Sequence, residues 1–151
     1  MPSKTHVELK GGTRKKREAG SIIVVIASDA PLLPHQLKRL ARRASLGLAR
    51  TGSISGNGSG DIFLAFSTAH PRMHSAEGDA PASGHVALTM VVNEEMDSFF
   101  KATVEATEEA ILNALVAAKT MKGRDDHTAE ALPHERVREI LKKYHRLSNA
   151  K

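Results

Sequence analysis

Ser21 is the first residue whose position suggests chemistry, because it follows Gly20 and directly precedes an apolar run. Cleavage of the peptide bond that precedes a serine makes this serine N-terminal. Its hydroxyl is then a nucleophile, and its own α-amine is a base. The reference pKa of an α-amine is about 7.7–8.0, whereas a lysine amine at about 10.4 is mostly protonated near neutral pH. Gly20 keeps side-chain bulk away from the scissile carbonyl and tolerates an unusual backbone. A Gly-Ser pair before a strand is common, so this pattern makes Ser21 only a candidate.

Ser59 and Asp61 form the second candidate group, at the end of a ten-residue stretch with four glycines, Thr51–Gly60. Glycines beside Ser59 allow close approach of backbone or substrate, and the Asp61 carboxylate could orient a hydroxyl or an ammonium group. The alternative is a tight connection before a strand, which the same glycines also favour. A phosphate-binding loop is less favoured than either, because the stretch lacks the lysine-serine ending and the strand-to-helix context.

Four further residues imitate a metal site: His70, His74, Glu77 and His85. Pro71 interrupts any helix across them, and the pattern of two histidines around a glutamate found in zinc proteases is missing. We therefore interpret them as histidines of a surface loop and predict neither a metal nor another cofactor.

Three apolar runs and three helical patterns must position these candidates. The order predicts β-α-β-β-α-α and an α+β fold. The predicted strands and helices are Ile22–Ala27, a helix from Pro34 to about Arg50, Ile62–Ser67, Val86–Val92, a helix from about Asn93 to Met121 with Gly123 as its stop, and a last helix opened by Pro133.

The first strand is β-branched and continuously apolar, which is typical of a strand buried on both faces. Three such strands make a poor sheet by themselves. We therefore expect further strands to come from outside this chain.

Charge and composition limit the function classes. Residues 1–20 hold six basic and two acidic residues and so carry +4 of the net charge of +5, which leaves a nearly neutral body. A nucleic-acid-binding domain normally has a basic face on its folded part, so a basic leader on a neutral body is weak evidence for nucleic-acid binding.

The sequence has no cysteine, which fits a reducing cytoplasm. Its longest apolar run is too short to span a membrane, and no secretory signal is present.

These patterns divide the chain into three segments. We predict a basic, disordered leader over residues 1–20, one folded domain over residues 21–146 and a short tail over residues 147–151. The predicted protein is cytoplasmic, with the periplasm left open as the alternative, and binds neither nucleic acid nor membrane.

Several long runs of the sequence resemble the DmpA-type aminopeptidases, the family of L-aminopeptidase/D-esterases and β-peptidyl aminopeptidases. The resemblance covers about Ala19 to Tyr144 and does not include a large α chain. The runs that carry it are Gly20–Pro34, Arg50–Ser53, Asn57–Thr68, Glu105–Leu115 and Gly123–Thr128.

The resemblance implies a precursor that cleaves itself before a serine, leaving a large α chain and a small β chain. It implies that Gly20-Ser21 is the cleavage site, that Ser21 is the nucleophile, and that Ser59 and Asp61 are further catalytic residues. It also implies an αββα sandwich shared with ornithine acetyltransferases, of which this chain is the C-terminal part.

The resemblance further implies partners and substrates. Family members assemble as homo-oligomers of αβ units, so the absent α chain is an expected partner. Substrates would be peptides or aminoacyl amides and esters, with L-, D- or β-amino acid preference left open. The alternative is a truncated, non-catalytic fragment that only folds or associates.

Overall fold

The computed structural model describes residues 20–70 and 85–147. The predicted leader, apart from Gly20, and most of the predicted loop over 69–84 lie outside the described residues. The described elements are β1 (Ile23–Ser28), α1 (Pro34–Arg50), β2 (Ile62–Ser67), α2 (Met96–Ala117), β3 (Met121–Lys122), β4 (Thr128–Ala129) and α3 (His134–Lys143).

β1 and β2 form a parallel pair with α1 as the connection between them. Their register runs from Ile23 opposite Ile62 to Ser28 opposite Ser67. Parallel neighbours need a long crossover, and the 17-residue α1 supplies it. Both strands were predicted from their apolar runs, with β1 displaced by one residue.

The two faces of this sheet differ in exposure. One face packs towards the helices, and Ile26 and Ala65 there contact the core. The outer face is exposed, with Ile23 70% and Val25 56% accessible. The prediction that the first strand is buried on both faces is therefore wrong for the described chain, because nothing in residues 20–70 and 85–147 covers the outer face.

The core lies between the inner face of the sheet and the helices α1 and α2. Its buried side chains come from the connection after β1 and from both helices: Leu32, Leu40, Met96 and Phe100. The apolar stripe predicted for α1 is confirmed at Leu40, Ala44 and Leu48, which are all buried.

Helices α1 and α2 approach closely at Gly47. A Cβ added there would lie 2.6 Å from the carbonyl oxygen of Val104 and 2.7 Å from Cβ of Thr107. Those distances are shorter than van der Waals contact, so only glycine allows this helix spacing.

Gln36 is a buried polar residue that joins the start of α1 to the segment before α2. Its Oε1 accepts a hydrogen bond from the Leu33 amide at 3.0 Å, and its Nε2 donates to the Val91 carbonyl at 2.7 Å. The Val91 amide in turn donates to the Pro31 carbonyl at 3.0 Å. Segment 85–92 is therefore tied to the core at Val91.

The predicted third strand, Val86–Val92, is wrong. The described chain has no strand there, and Val86, Leu88 and Val92 are exposed. An alternating apolar pattern favours extended backbone, but a strand also requires a neighbour to bond with. Among the described residues the segment bonds to Pro31 and Gln36 at Val91 but pairs with no strand.

The predicted helix from 93 to 121 is shorter in the structure, because α2 ends at Ala117. Ala118 has extended dihedral angles (φ −60°, ψ 144°), and the chain then enters the short β3–β4 hairpin. Gly123 lies in that hairpin, where its amide donates to the His127 carbonyl, and does not end a helix. The final helix follows Pro133 as predicted.

Candidate active site

The candidate site lies at the end of the sheet where both parallel strands begin. Ile23 opposes Ile62, so the residues that precede these strands meet there. The Ile62 amide donates to the Ile22 carbonyl at 2.9 Å, which extends the strand ladder one residue further. Ser21 and Asp61 are thereby brought together although 40 positions separate them in the sequence.

The Ser21 side chain is held by the segment that precedes β2. Its Oγ accepts a hydrogen bond of 2.9 Å from the backbone amide of Gly60. A Cβ on Gly60 would lie 3.4 Å from that oxygen, at the limit of ordinary contact, so glycine leaves free space beside the hydroxyl. Ser21 itself is exposed and accessible to a substrate.

Asp61 connects the start of β1 with the glycine-rich loop. Its Oδ1 accepts a hydrogen bond of 3.1 Å from the Ile22 amide, and its Oδ2 accepts one of 3.1 Å from Ser55 Oγ. The carboxylate is thus bonded directly to the residue that follows Ser21.

Hydrogen bonds lower the pKa of Asp61 below its ordinary value of 3.8. The largest cause is the Ser59 hydroxyl, followed among the favourable ones by the Ile22 amide and the Ser55 hydroxyl, while partial desolvation acts in the opposite direction. Donors stabilise the charged form of a carboxyl group. Asp61 is therefore ionised throughout the neutral range.

Ser59 occupies a turn before β2, where its amide donates to the Gly56 carbonyl at 2.8 Å. The alternative prediction, a tight connection before a strand, is therefore correct as a description of the backbone. From the same turn, the Ser59 hydroxyl contributes to the lowered pKa of Asp61. The loop can therefore be a tight connection before β2 and also carry a residue of the candidate site.

Ser21, Ser59 and Asp61 line one cleft of about 390 Å³. The structure therefore brings all the sequence-predicted site residues together, and Gly20 of the predicted cleavage site is among them. Their catalytic roles stay predictions. The lining residues are Gly20, Ser21, Ile22, Leu48, Ser53, Gly56, Asn57, Gly58, Ser59 and Asp61.

Sequence reasoning did not single out Ser55, which bonds Asp61. Ser55 has a φ of 47°, in the left-handed region that residues with a Cβ rarely adopt. A serine placed among glycines looks like an ordinary loop residue, so only the folded structure reveals its contact with Asp61.

The other candidate sites gain no support. No group of three or more His, Asp or Glu residues within residues 20–70 and 85–147 is arranged to hold a metal ion. His74 and Glu77 of the predicted histidine loop lie outside the described residues. In the part of the chain that the structure describes, no helix is both long and apolar enough to cross a bilayer.

Comparison with known proteins identifies the family. The sequence model of peptidase family S58 matches residues 3–129, so the chain belongs to peptidase family S58. Beta-peptidyl aminopeptidase BapA of Sphingosinicella microcystinivorans is 52% identical over 132 residues, which are 87% of this chain and 32% of that protein. The predicted resemblance to DmpA-type aminopeptidases is confirmed.

Solved structures support the same relationship. The PH0078 protein of Pyrococcus horikoshii is 48% identical with a TM-score of 0.73, covering 83% of this chain and 34% of that one. The L-aminopeptidase D-Ala-esterase/amidase of Ochrobactrum anthropi is 45% identical with a TM-score of 0.72, covering 93% and 38%. The latter is described as a new variant among the Ntn hydrolase fold. The predicted fold class is thereby confirmed, with this chain holding part of that fold.

This chain spans about a third of the length of the relatives that it matches. That proportion agrees with the prediction of a β-chain portion. The family match begins at residue 3, so it includes most of the predicted leader and continues through Gly20-Ser21. The division of the chain into leader, domain and tail stays a prediction.

Proposed function

We propose that this chain is the β-chain portion of an N-terminal nucleophile aminopeptidase that cleaves itself between Gly20 and Ser21. The observation that carries the proposal is the position of Ser21, in a cleft at the start of β1 with its Oγ held by the Gly60 amide at 2.9 Å. Membership of peptidase family S58 supports the same assignment.

Self-cleavage begins with attack of Ser21 Oγ on the Gly20 carbonyl carbon. Transfer of the Gly20 acyl group from nitrogen to oxygen breaks the peptide bond and frees the α-amine of Ser21. Water then hydrolyses the resulting ester and releases the segment that ends at Gly20. The free amine is the base that the processed enzyme needs.

The processed site would hydrolyse peptides, aminoacyl amides or esters at their N-terminal residue. Ser21 Oγ attacks the substrate carbonyl while its α-amine accepts the hydroxyl proton, which that amine later gives to the leaving group. Water then cleaves the acyl-enzyme and regenerates Ser21. Ser59 and the Asp61 carboxylate would hold the proton of the Ser21 hydroxyl and orient the ammonium group of the substrate, because Asp61 is ionised and bonded next to Ser21.

The rest of the fold would come from an α chain. The outer face of the β1–β2 sheet carries large exposed side chains in register, such as Val25 opposite Leu64. Sheets expose a continuous apolar face to water only rarely, and such a patch marks an interface. We expect the α chain to cover this face and the resulting αβ units to form a homo-oligomer.

Intact-mass analysis of the purified chain tests self-cleavage. We expect a species that begins at Ser21 in the wild type and in a matched Ser45→Ala control, and only uncleaved chain for Ser21→Ala. A Ser21→Ala chain that is cleaved to the same extent would refute self-processing.

The second candidate function is a non-catalytic fragment that only folds or associates. The exposed outer sheet face and the coverage of about a third of each relative favour it. The two candidates differ in an assay of aminoacyl p-nitroanilide hydrolysis by the purified chain without any partner. Hydrolysis that disappears with Ser21→Ala would exclude the fragment.

A further inference from the structure

The Asp61 carboxylate is bonded within the chain on both of its oxygens. Oδ1 accepts from the Ile22 amide, which belongs to the peptide group between the nucleophile and the next residue. Oδ2 accepts from Ser55 Oγ in the glycine-rich loop. These two bonds set the direction of the carboxylate. The Ser59 hydroxyl of the same loop adds to the stabilisation of its charge.

Ser55 has a backbone conformation that glycine would adopt more easily. Its φ is 47°, and its neighbourhood already contains Gly52 and Gly56. Its own amide donates to Ser53 Oγ at 3.2 Å, which holds the residue in this turn. The side chain of Ser55 thus has a use that glycine could not supply, namely the hydroxyl directed at Asp61.

A continuous series of hydrogen bonds results. The Ser55 amide donates to Ser53 Oγ, and the Ser55 hydroxyl donates to Asp61 Oδ2. The Ile22 amide beside the nucleophile donates to Asp61 Oδ1. Ser21 Oγ is held independently by the Gly60 amide, one residue before Asp61. Rotation of the Asp61 carboxylate would therefore release one of the two attachments that place Ser21.

We propose that Ser55 is a positioning residue, whose hydroxyl fixes the Asp61 carboxylate so that it holds the Ile22 amide and thereby places Ser21 against Gly60. The proposal rests on the proposed role of Ser21 as nucleophile. Ser55 itself does not line the cleft and acts through Asp61.

Amide hydrogen exchange of the ¹⁵N-labelled chain, read by NMR, tests the proposal without requiring activity. Ser55→Ala should accelerate exchange of the Ile22 amide about tenfold, the effect of losing support for a hydrogen bond to a charged group. The Ile62 amide, which donates to the Ile22 carbonyl, serves as the internal reference and should be unchanged. Equal acceleration of both amides would indicate general loosening of the strands and overturn the proposal.

Two further variants separate the hydroxyl from the backbone conformation. Ser55→Gly removes the hydroxyl but suits a positive φ, so we expect it to accelerate Ile22 exchange as much as Ser55→Ala does. Protection of Ile22 retained in Ser55→Gly would overturn the proposal. Ser45→Ala is the matched control, because Ser45 Oγ donates to the Arg42 carbonyl within α1, away from the cleft, and should leave Ile22 unchanged.

Intact mass measured on the same samples distinguishes this inference from the proposed function. Unchanged Ile22 exchange in Ser55→Ala, with normal cleavage before Ser21, would refute the positioning role and leave the function standing. Selective acceleration of Ile22, with no cleavage in any sample including the wild type, would support the positioning role and refute self-processing.

Discussion

The backbone amide of Gly60 donates a hydrogen bond of 2.9 Å to Ser21 Oγ, which joins residues 39 positions apart. The bond exists because β1 and β2 are parallel and in register, so the residues that precede the two strands lie side by side. A hydroxyl that accepts from this amide keeps its own proton free for transfer to a base. The arrangement suits a nucleophile whose base is the α-amine of the same residue.

The first prediction concerns the pH dependence of hydrolysis. The Ser21 α-amine must be neutral to accept a proton, and its reference pKa is about 7.7–8.0. With the α chain supplied, we expect kcat/KM to rise with pH until the amine has lost its proton, and to level off above that. A profile that is flat from pH 6 to pH 9 would exclude the amine as the base.

The second prediction concerns acid stability. The folded-state pKa of Asp61 is lowered below 3.8, so the ionised carboxylate stabilises the fold fully above pH 3.8. This contribution is lost as the pH falls through the lowered folded-state value. We expect wild type to unfold at higher denaturant concentration than Asp61→Asn above pH 3.8, with the difference shrinking below it. A difference that grows on acidification would contradict the assignment.

The third prediction concerns the contact between α1 and α2. Gly47→Ala would place a Cβ 2.6 Å from the Val104 carbonyl, and overpacking of this kind costs about 1–3 kcal/mol. We expect the free energy of unfolding in urea to fall by that amount. Leu46→Ala is the control, since Leu46 is 55% exposed and its truncation should change stability by less than about 0.5 kcal/mol. Equal effects of the two substitutions would contradict the close approach at Gly47.

The fourth prediction concerns the buried Gln36 side chain. Gln36→Ala leaves the partly buried Val91 carbonyl and Leu33 amide without their partners, and an unsatisfied group of this kind costs about 1–3 kcal/mol. We expect a loss of at least about 2 kcal/mol in the free energy of unfolding. His35→Ala, at the exposed neighbouring position, should be close to neutral. A neutral Gln36→Ala would show that segment 85–92 is not tied to α1.

The fifth prediction concerns the outer face of the sheet. Val25→Lys changes a side chain that is 56% exposed, so it should leave the stability of the isolated chain almost unchanged. A lysine there would block burial against the α chain, and co-purification with a tagged α chain should be lost. Leu46→Lys is a control of similar exposure on α1 and should still co-purify. Retained binding by Val25→Lys would place the α chain elsewhere.

Much of the fold was predictable from local patterns. The β-branched runs predicted β1 and β2, and the helical spacing of Leu40, Ala44 and Leu48 predicted the buried stripe of α1. The same rules predicted a strand at Val86–Val92 and a longer α2. They failed there because pairing and helix ends depend on neighbours that a local pattern does not contain.

The sequence by itself determined the candidate residues Ser21, Ser59 and Asp61 and the family that their surrounding motifs resemble. Residue types and long motifs are local properties, so reading them requires no structure. Only the tertiary structure decided that the three share one cleft, that Gly60 holds the Ser21 hydroxyl and that Ser55 holds the Asp61 carboxylate. Those contacts depend on the parallel register of β1 with β2 and on the left-handed turn at Ser55, which arise from long-range pairing and loop geometry.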